Sequence, residues 1–333
     1  MDSATRQEPP CKTRQPEARH CLHKAHPTPI RKRVTDESRC PMILLPPELK
    51  IDIVSRLDEL ATLSRLGRTC RIWYEVANEE LYKRDAREHN SFAIKRMAVY
   101  ARDEKTIDDA IRTLRISRLW GGQIDAVGPA LTSQQTSNRT QRIHALTALG
   151  IGVALGNVPL VERLLDEGAR HDIPCSIMST SLPQSLKFRY RVRYFKEVFK
   201  DYFRSDSALP IFVAFLRTDL DMCHCLLERG VERDAMIVGS GLHSTRISIL
   251  HFVAADPTRE CGQWRFFYDR FREHINEPCT AMNLTPLHVA MMSGCVQGVY
   301  DTLEYGADKE ARNVDLQTPI MMGRSRDLLP RDR

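Results

Sequence analysis

The sequence predicts an all-α protein in two parts: a short N-terminal unit of three helices, then a solenoid of stacked helix pairs joined by short hairpin loops. Two observations carry this. Between Ile43 and Asp85 the apolar residues recur at helical spacings of three to six, with interruptions. After Ile143 the chain repeats itself, most clearly where Thr318-Pro319-Ile320 restarts, 33 positions on, the pattern opened by Thr285-Pro286-Leu287.

Composition agrees with such a protein. A length of 333 residues leaves room for two cores. The hydrophobic fraction of 42% and charged fraction of 28% are those of an ordinary globular chain. No apolar run approaches the roughly eighteen residues of a membrane-spanning helix, so no membrane partner is expected. Met1 to Arg39 is polar, Pro-rich and charged, without the apolar stretch of a secretory signal, which points to the cytosol or nucleus. The ten cysteines form no tight framework and read as buried small hydrophobes or idle thiols, not disulfides. A net charge of +6 permits contact with nucleic acid without arguing for it, and nucleic acid is not expected as a partner.

Residues 1–41 read as a disordered basic leader, too poor in aliphatics to offset the entropy of ordering. Arg31-Lys32-Arg33 is a candidate nuclear-import patch, against the plainer reading of a solvated basic run. Cys11, His20, Cys21, His23, His26 and Cys40 are of zinc-ligating types, but no C-x2-C or H-x3-H pair frames a site, so no metal is expected.

The composition shifts at Met42, where a module over 42–88 begins. Leu45, Leu49, Ile53, Leu57, Leu60, Leu63, Leu66, Ile72 and Trp73 supply the apolar positions of three short helices. Pro46 and Pro47 suit a first helical turn, where a missing N–H costs nothing, and Glu48 complements the positive end of the helix dipole. Asp58 is placed to cap the second helix and Thr69 the third. A unit of about forty-five residues is marginal alone and calls for a partner to cover its apolar face.

Leu45-Pro46-Pro47-Glu48-Leu49, then Ile53, Leu57, Leu63 and Leu66, then Thr69-Cys70-Arg71 with Trp73, closed by Leu81-Tyr82-Lys83-Arg84-Asp85, resembles an F-box. The closing stretch is most similar to F-boxes of filamentous fungi. The resemblance implies that Leu45, Pro46, Leu49, Ile53, Leu57, Leu63, Leu66 and Trp73 form the face docking a Skp adaptor, and through it a cullin–RING ligase. Such an interface is dominated by a few buried aliphatic and aromatic anchors.

The second part, residues 143–333, is built on repeats, with a degenerate helical copy and linker over 89–142. Its clearest unit runs Thr285-Pro286-Leu287-His288-Val289-Ala290, Gly294, Val299, Leu303 and Gly306-Ala307-Asp308. Thr285 can cap a first helix with Pro286 in its opening turn, and Gly294 and Gly306 fall where each helix must end with positive φ. Leu287 and Ala290 share one face, and Val299 and Leu303 face the core between stacked units. His251 and His288 read as structural, each bonding a neighbouring loop. The period and the T-P-L-H-x-A opening resemble the ankyrin repeat. Eroded copies open at Thr147, Leu209 and Ser248, the last losing the pattern near Pro257, and a more degraded one spans Phe92 to Leu114 through Ala93, Ile94, Ala98 and Ile107. Met321 to Arg333 is too short and polar for a normal helix pair.

An insertion at about 175–206 interrupts the repeats. Phe188, Val192, Phe195, Phe199 and Tyr202 form an apolar stripe, while Arg189, Arg191, Arg193, Lys196, Lys200 and Arg204 populate the rest. One reading is an amphipathic helix packed on the repeats with a solvated basic face. The other is a docking surface for an acidic partner, with Arg189, Arg191 and Arg193 in contact. In the clearest repeat, loop tips and inner helix faces place Met282, Asn283, Met291, Met292, Arg312 and Asn313 as further target-binding positions.

No phosphate-binding loop, nucleophile elbow or H-E-x-x-H pair occurs, so neither an enzyme nor a cofactor is expected. The expected function is that of a substrate receptor in a Skp–cullin–F-box ubiquitin ligase, whose protein substrate the sequence does not name. The alternative is an ankyrin scaffold or nuclear regulatory protein outside any ligase.

Overall fold

Helix starts and stops along the chain follow from local chemistry, and the long-range order follows from which faces they leave apolar. The computed structural model describes residues 41–128, 146–176, 185–199, 207–231, 247–257, 263–279 and 282–326. The leader, with Arg31 to Arg33 and the Cys/His set through Cys40, lies outside the described residues. The chain divides into the units Met1–Pro46 and Pro47–Arg333. In the first, the described part holds one 3-10 turn, Pro41–Leu44, with the Leu44 side chain in solvent.

The second unit is mostly α-helical, with one two-stranded ladder and one isolated bridge, Gly128 with Leu146, among the described residues. It opens with α1 (Pro47–Ser55), α2 (Leu60–Gly67) and α3 (Arg71–Glu88). α1 and α2 both pack on α3, burying Val54, Leu63, Trp73 and Ala77. Two expected caps are displaced. Glu59, not Asp58, stands at the start of α2. Cys70 stands at the start of α3, while the Thr69 hydroxyl instead donates to the Leu66 carbonyl at 2.7 Å and closes α2. A short hydroxyl so near a helix end can serve the helix behind it as well as the one ahead.

The next pair, α4 (Phe92–Tyr100) and α5 (Glu104–Leu119), occupies the stretch expected to hold the most degraded copy. Ile94, Ala98 and Ile107 are buried there, and Ala93 is half-buried. Asp85 of α3 accepts from the Ala93 amide at 3.1 Å, so the module runs directly into this pair. Burial raises the Asp85 carboxyl above its ordinary value. Burial also brings the Lys95 ammonium down to about 8, where it donates to the Asn90 carbonyl at 2.6 Å.

Further helices follow in pairs: α6 (Ala148–Leu155) with α7 (Val158–Asp166), α9 (Pro210–Arg217) with α10 (Leu220–Glu228), α11 (Ile249–Ala255) with the short α12 (Arg265–Arg270), and α13 (Pro286–Ser293) with α14 (Val296–Glu304). α4 packs on α6, α6 on α9, and α11 on α13. A continuous apolar core runs through them from Ile94 to Ala307.

The expected end signals are present in the clearest unit. The Thr285 hydroxyl and the His288 ring form a reciprocal cap at the start of α13. Gly294 and Gly306 end α13 and follow α14 at φ values of 69° and 92°, which glycine adopts without a Cβ penalty. In α9 the matching post is held by Thr218 at φ 59°. The histidines bond neighbouring turns: Nε2 of His251 donates to the Leu284 carbonyl at 2.9 Å, and Nε2 of His288 to that of Gln317 at 3.1 Å.

Val299 and Leu303 of α14 pack half-buried against the core, and its innermost residues are Gly298, Asp301 and Thr302. Gly298 sits so close to α11 that a Cβ there would lie 1.9 Å from the Ala254 carbonyl oxygen. Between α7 and α9, β1 (Cys175–Ser176) and β2 (Ser207–Ala208) pair antiparallel, Cys175 opposite Ala208, and α8 (Leu186–Val198) lies between them in sequence. Lys200, Tyr202 and Arg204 of that insertion lie outside the described residues. After the Thr318-Pro319 restart a single helix follows, α15 (Pro319–Arg326), which packs on α13.

Candidate interaction surfaces

The α1–α3 module exposes apolar side chains that its own core does not use. Leu49 and Ile51 of α1 and Tyr74 of α3 stand in solvent. Ile53, Leu57 and Leu66 are half-buried, whereas Leu63 is 0% and Trp73 3% exposed. Those two, expected on the docking face, instead hold the three helices together: packed between helices, neither can meet a partner without opening the module. In the first unit, Leu45 is half-buried and Pro46 exposed. Ile51 was not among the expected docking residues, because it falls off the helical spacing of the core positions. That offset is the signal that would have found it.

Arg84 secures the end of α1. Its guanidinium donates to the Leu57 carbonyl, to that of Ser55 at 2.7 Å and to that of Val54 at 3.4 Å, and its Nε donates to Glu80 at 2.7 Å. The last carbonyls of a helix have no partner inside it, and a cation is the favoured neighbour there. The closing Leu81-to-Asp85 stretch thus clamps α1 through Arg84 and starts α4 through Asp85.

Around α13 the expected target-binding residues separate into two kinds. Asn283 and Arg312 are exposed, and the Asn283 amide donates to the Arg312 carbonyl at 2.9 Å, tying adjacent loop tips. Met282, Met291 and Met292 are half-buried. Met291 lines a shallow apolar cleft of about 360 Å3 with Val296, Val299 and Ile320. Asn313 is buried, contrary to its expected contact role. Its Oδ1 accepts from the amides of Asp315 at 3.0 Å and Gln317 at 2.8 Å, so it shapes the turn.

On α8 the expected trio also splits. Arg189 and Arg193 are exposed, but Arg191 is 1% exposed and faces inward with Phe188, Val192 and Phe195. Its Nη1 lies 2.6 Å from both carboxylate oxygens of Asp256. Nε and Nη2 donate to the carbonyls of Leu216 and Phe215 at 3.1 and 3.2 Å. Trp264 donates its indole N–H to Asp256 at 3.1 Å, and the guanidinium lies 4.9 Å from the Phe215 ring centre. A buried cation must find such partners, so Arg191 belongs to the core and not to a docking face. Neither Asp256 nor Trp264 was singled out beforehand, since nothing local in the sequence marks a partner 65 positions away.

Another cleft, of about 690 Å3, lies between the start of α5 and α7. Its polar residues are engaged: Asp103 caps α5, Asn157 caps α7 and donates to the Ala101 carbonyl at 3.0 Å, and Arg163 pairs with Asp108 at 3.0 Å. It is a seam between helix pairs. Cys175, Cys223, Cys225, Cys279 and Cys295 are buried, and burial raises the thiols of Cys175, Cys223 and Cys225 away from the nucleophilic thiolate. Among the described residues no His, Cys, Asp and Glu cluster is placed to hold a metal ion, and no helix is long and apolar enough to cross a membrane.

Comparison with known proteins identifies the module. The family model described as F-box-like matches residues 42–87, so the chain carries an F-box-like domain there. The curated proteins contain no match. Among solved structures, the chain is similar to one described as the Bd0816 predatory endopeptidase from Bdellovibrio bacteriovorus in complex with immunity protein Bd3460. The identity is 12%, with 71% of this chain and 92% of that chain covered, at a TM-score of 0.42.

Proposed function

We propose that the chain is the substrate receptor of a Skp–cullin–F-box ubiquitin ligase. In this reading the F-box-like domain docks a Skp-type adaptor, and an ankyrin-type array of helix pairs holds the protein to be ubiquitinated. The observation that carries the reading is the F-box-like match on a module that keeps Leu49 and Ile51 in solvent. Large apolar side chains left outside a small packed unit favour a partner. Leu45, Pro46, Ile53, Leu57 and Leu66 border that face in sequence, while Leu63 and Trp73 support it from beneath.

Support for the ankyrin-type reading comes from the 33-residue period, the reciprocal Thr285–His288 cap and the histidine bonds to succeeding turns. A receptor of this kind is not an enzyme. It raises the effective concentration of a target lysine beside a charged conjugating enzyme, in the cytosol or nucleus.

Co-expression of the full chain with a Skp-type adaptor tests the proposal. The two are expected to co-elute on size exclusion. Leu49→Glu with Ile51→Glu should abolish co-elution and leave helicity and melting unchanged, because both side chains are exposed. If the unaltered chain never associates with the adaptor, the receptor reading fails and a scaffold role replaces it.

A further inference from the structure

We propose that the outward face of α8 binds an acidic peptide that also carries a large apolar side chain. The role of such a peptide, as part of a ligase target, rests on the receptor reading above; the binding itself does not.

At about 100° per residue, the buried Phe188, Arg191, Val192 and Phe195 define one side of α8. Leu186, Arg189, Tyr190 and Arg193 fall on the other. Leu186 is 82% and Tyr190 58% exposed, four positions apart, so they form one apolar ridge. Arg189 and Arg193 form a parallel cationic ridge at the same spacing, while Lys187 lies on the far flank of the apolar ridge. The side chains of these three cations make no ion pair or hydrogen bond to any described residue. Several surface arginines elsewhere are paired: Arg115 with Glu167, Arg163 with Asp108, Arg170 with Asp172, Arg265 with Glu304. The outward face of α8 sets unpaired positive charge beside exposed apolar surface, with Glu197 the one acidic residue of the helix.

The helix is held firmly enough to act as a platform. Ser185 caps its start, accepting from the Phe188 amide at 3.1 Å. Arg191 is locked on Asp256, and the Tyr194 hydroxyl donates to the Ala255 carbonyl at 2.8 Å. A pre-ordered surface loses little entropy on binding. Guanidinium forks suit carboxylates, and an apolar side chain of the peptide would cover Leu186 and Tyr190. Charge complementarity thus commits the face to an acidic segment. Nucleic acid is disfavoured, since three cations neutralise too few phosphates for stable binding. A lone Leu and Tyr also offer too little apolar area to hold a membrane surface.

The test is fluorescence anisotropy on the full chain. The probe is a labelled peptide of Asp and Glu around one central Phe, run against its Phe→Ser form, its Lys-substituted form and a labelled single-stranded RNA. Saturable binding of the acidic Phe peptide is expected, weaker for the Ser form and absent for the Lys form. Arg189→Glu with Arg193→Glu should weaken it by about tenfold or more, without moving the melting temperature. Unchanged binding by that variant, no binding by the unaltered chain, or tighter binding of the RNA overturns the proposal. Adaptor co-elution run on the same preparations separates the two readings. Co-elution without peptide binding sinks the α8 site alone, and charge-sensitive peptide binding without co-elution sinks the receptor reading alone.

Discussion

Arg191 of α8 and Asp256 at the end of α11 form an ion pair in the protein interior, Nη1 lying 2.6 Å from both carboxylate oxygens. The pair fastens the insertion to the helix pairs behind it. Phe195 and Phe199 of the α8 segment continue the attachment by packing on Phe252 of α11, at ring separations of 5.3 and 4.6 Å.

Breaking one side of this pair should cost far more than removing both. Asp256→Ala strands the Arg191 charge and the Trp264 indole N–H in the interior, and a loss of roughly 3–5 kcal/mol is expected. Arg191→Met with Asp256→Leu removes the charges together and should recover most of that. Denaturant midpoints of the two variants decide the matter; equal losses would mean that the pair is not coupled.

Acid should weaken the fold through His251. Burial holds this ring's pKa at about 4 in the folded chain, against an ordinary value near 6.5. Between those values only the unfolded chain takes up the proton, so stability falls as pH drops through the window and levels off below it. The full effect is about 3 kcal/mol. His288 is shifted in the same direction by burial. Melting temperatures between pH 7 and 4 should therefore decline, and His251→Gln should flatten the decline.

The closeness of α14 to α11 predicts an asymmetry between glycines. Gly298→Ala would press a methyl into the Ala254 carbonyl and is expected to cost about 2 kcal/mol or more. Gly168→Ala meets no atom but keeps φ at 87°, and about 1 kcal/mol is expected. Thermal melts of the two variants supply the comparison.

Helix positions were legible wherever a local signal set them. The Thr285-Pro286 start, the Gly294 and Gly306 stops and the two structural histidines all depend on residues within a turn or one repeat length of each other. Cap assignments at Asp58 and Thr69 slipped by one position: Glu59 and Cys70 stand there without a side-chain capping bond, so packing on α3 and not a cap sets these starts. The interaction surfaces were less legible. Spacing placed Leu63, Trp73 and Arg191 on faces, but a face says nothing of whether solvent or another helix lies beyond it.

The order of residues alone therefore settled the mostly helical character, the F-box-like module and the helix starts at Pro286 and Pro319, because capping, φ preference and apolar spacing act over short distances. Packing settled the rest. It sorted one arginine in α8 inward and two outward, made anchors of Leu63 and Trp73, and left Ile51 in solvent. Burial depends on what arrives from elsewhere in the chain, and Asp256, the partner that turned Arg191 inward, arrives on another helix.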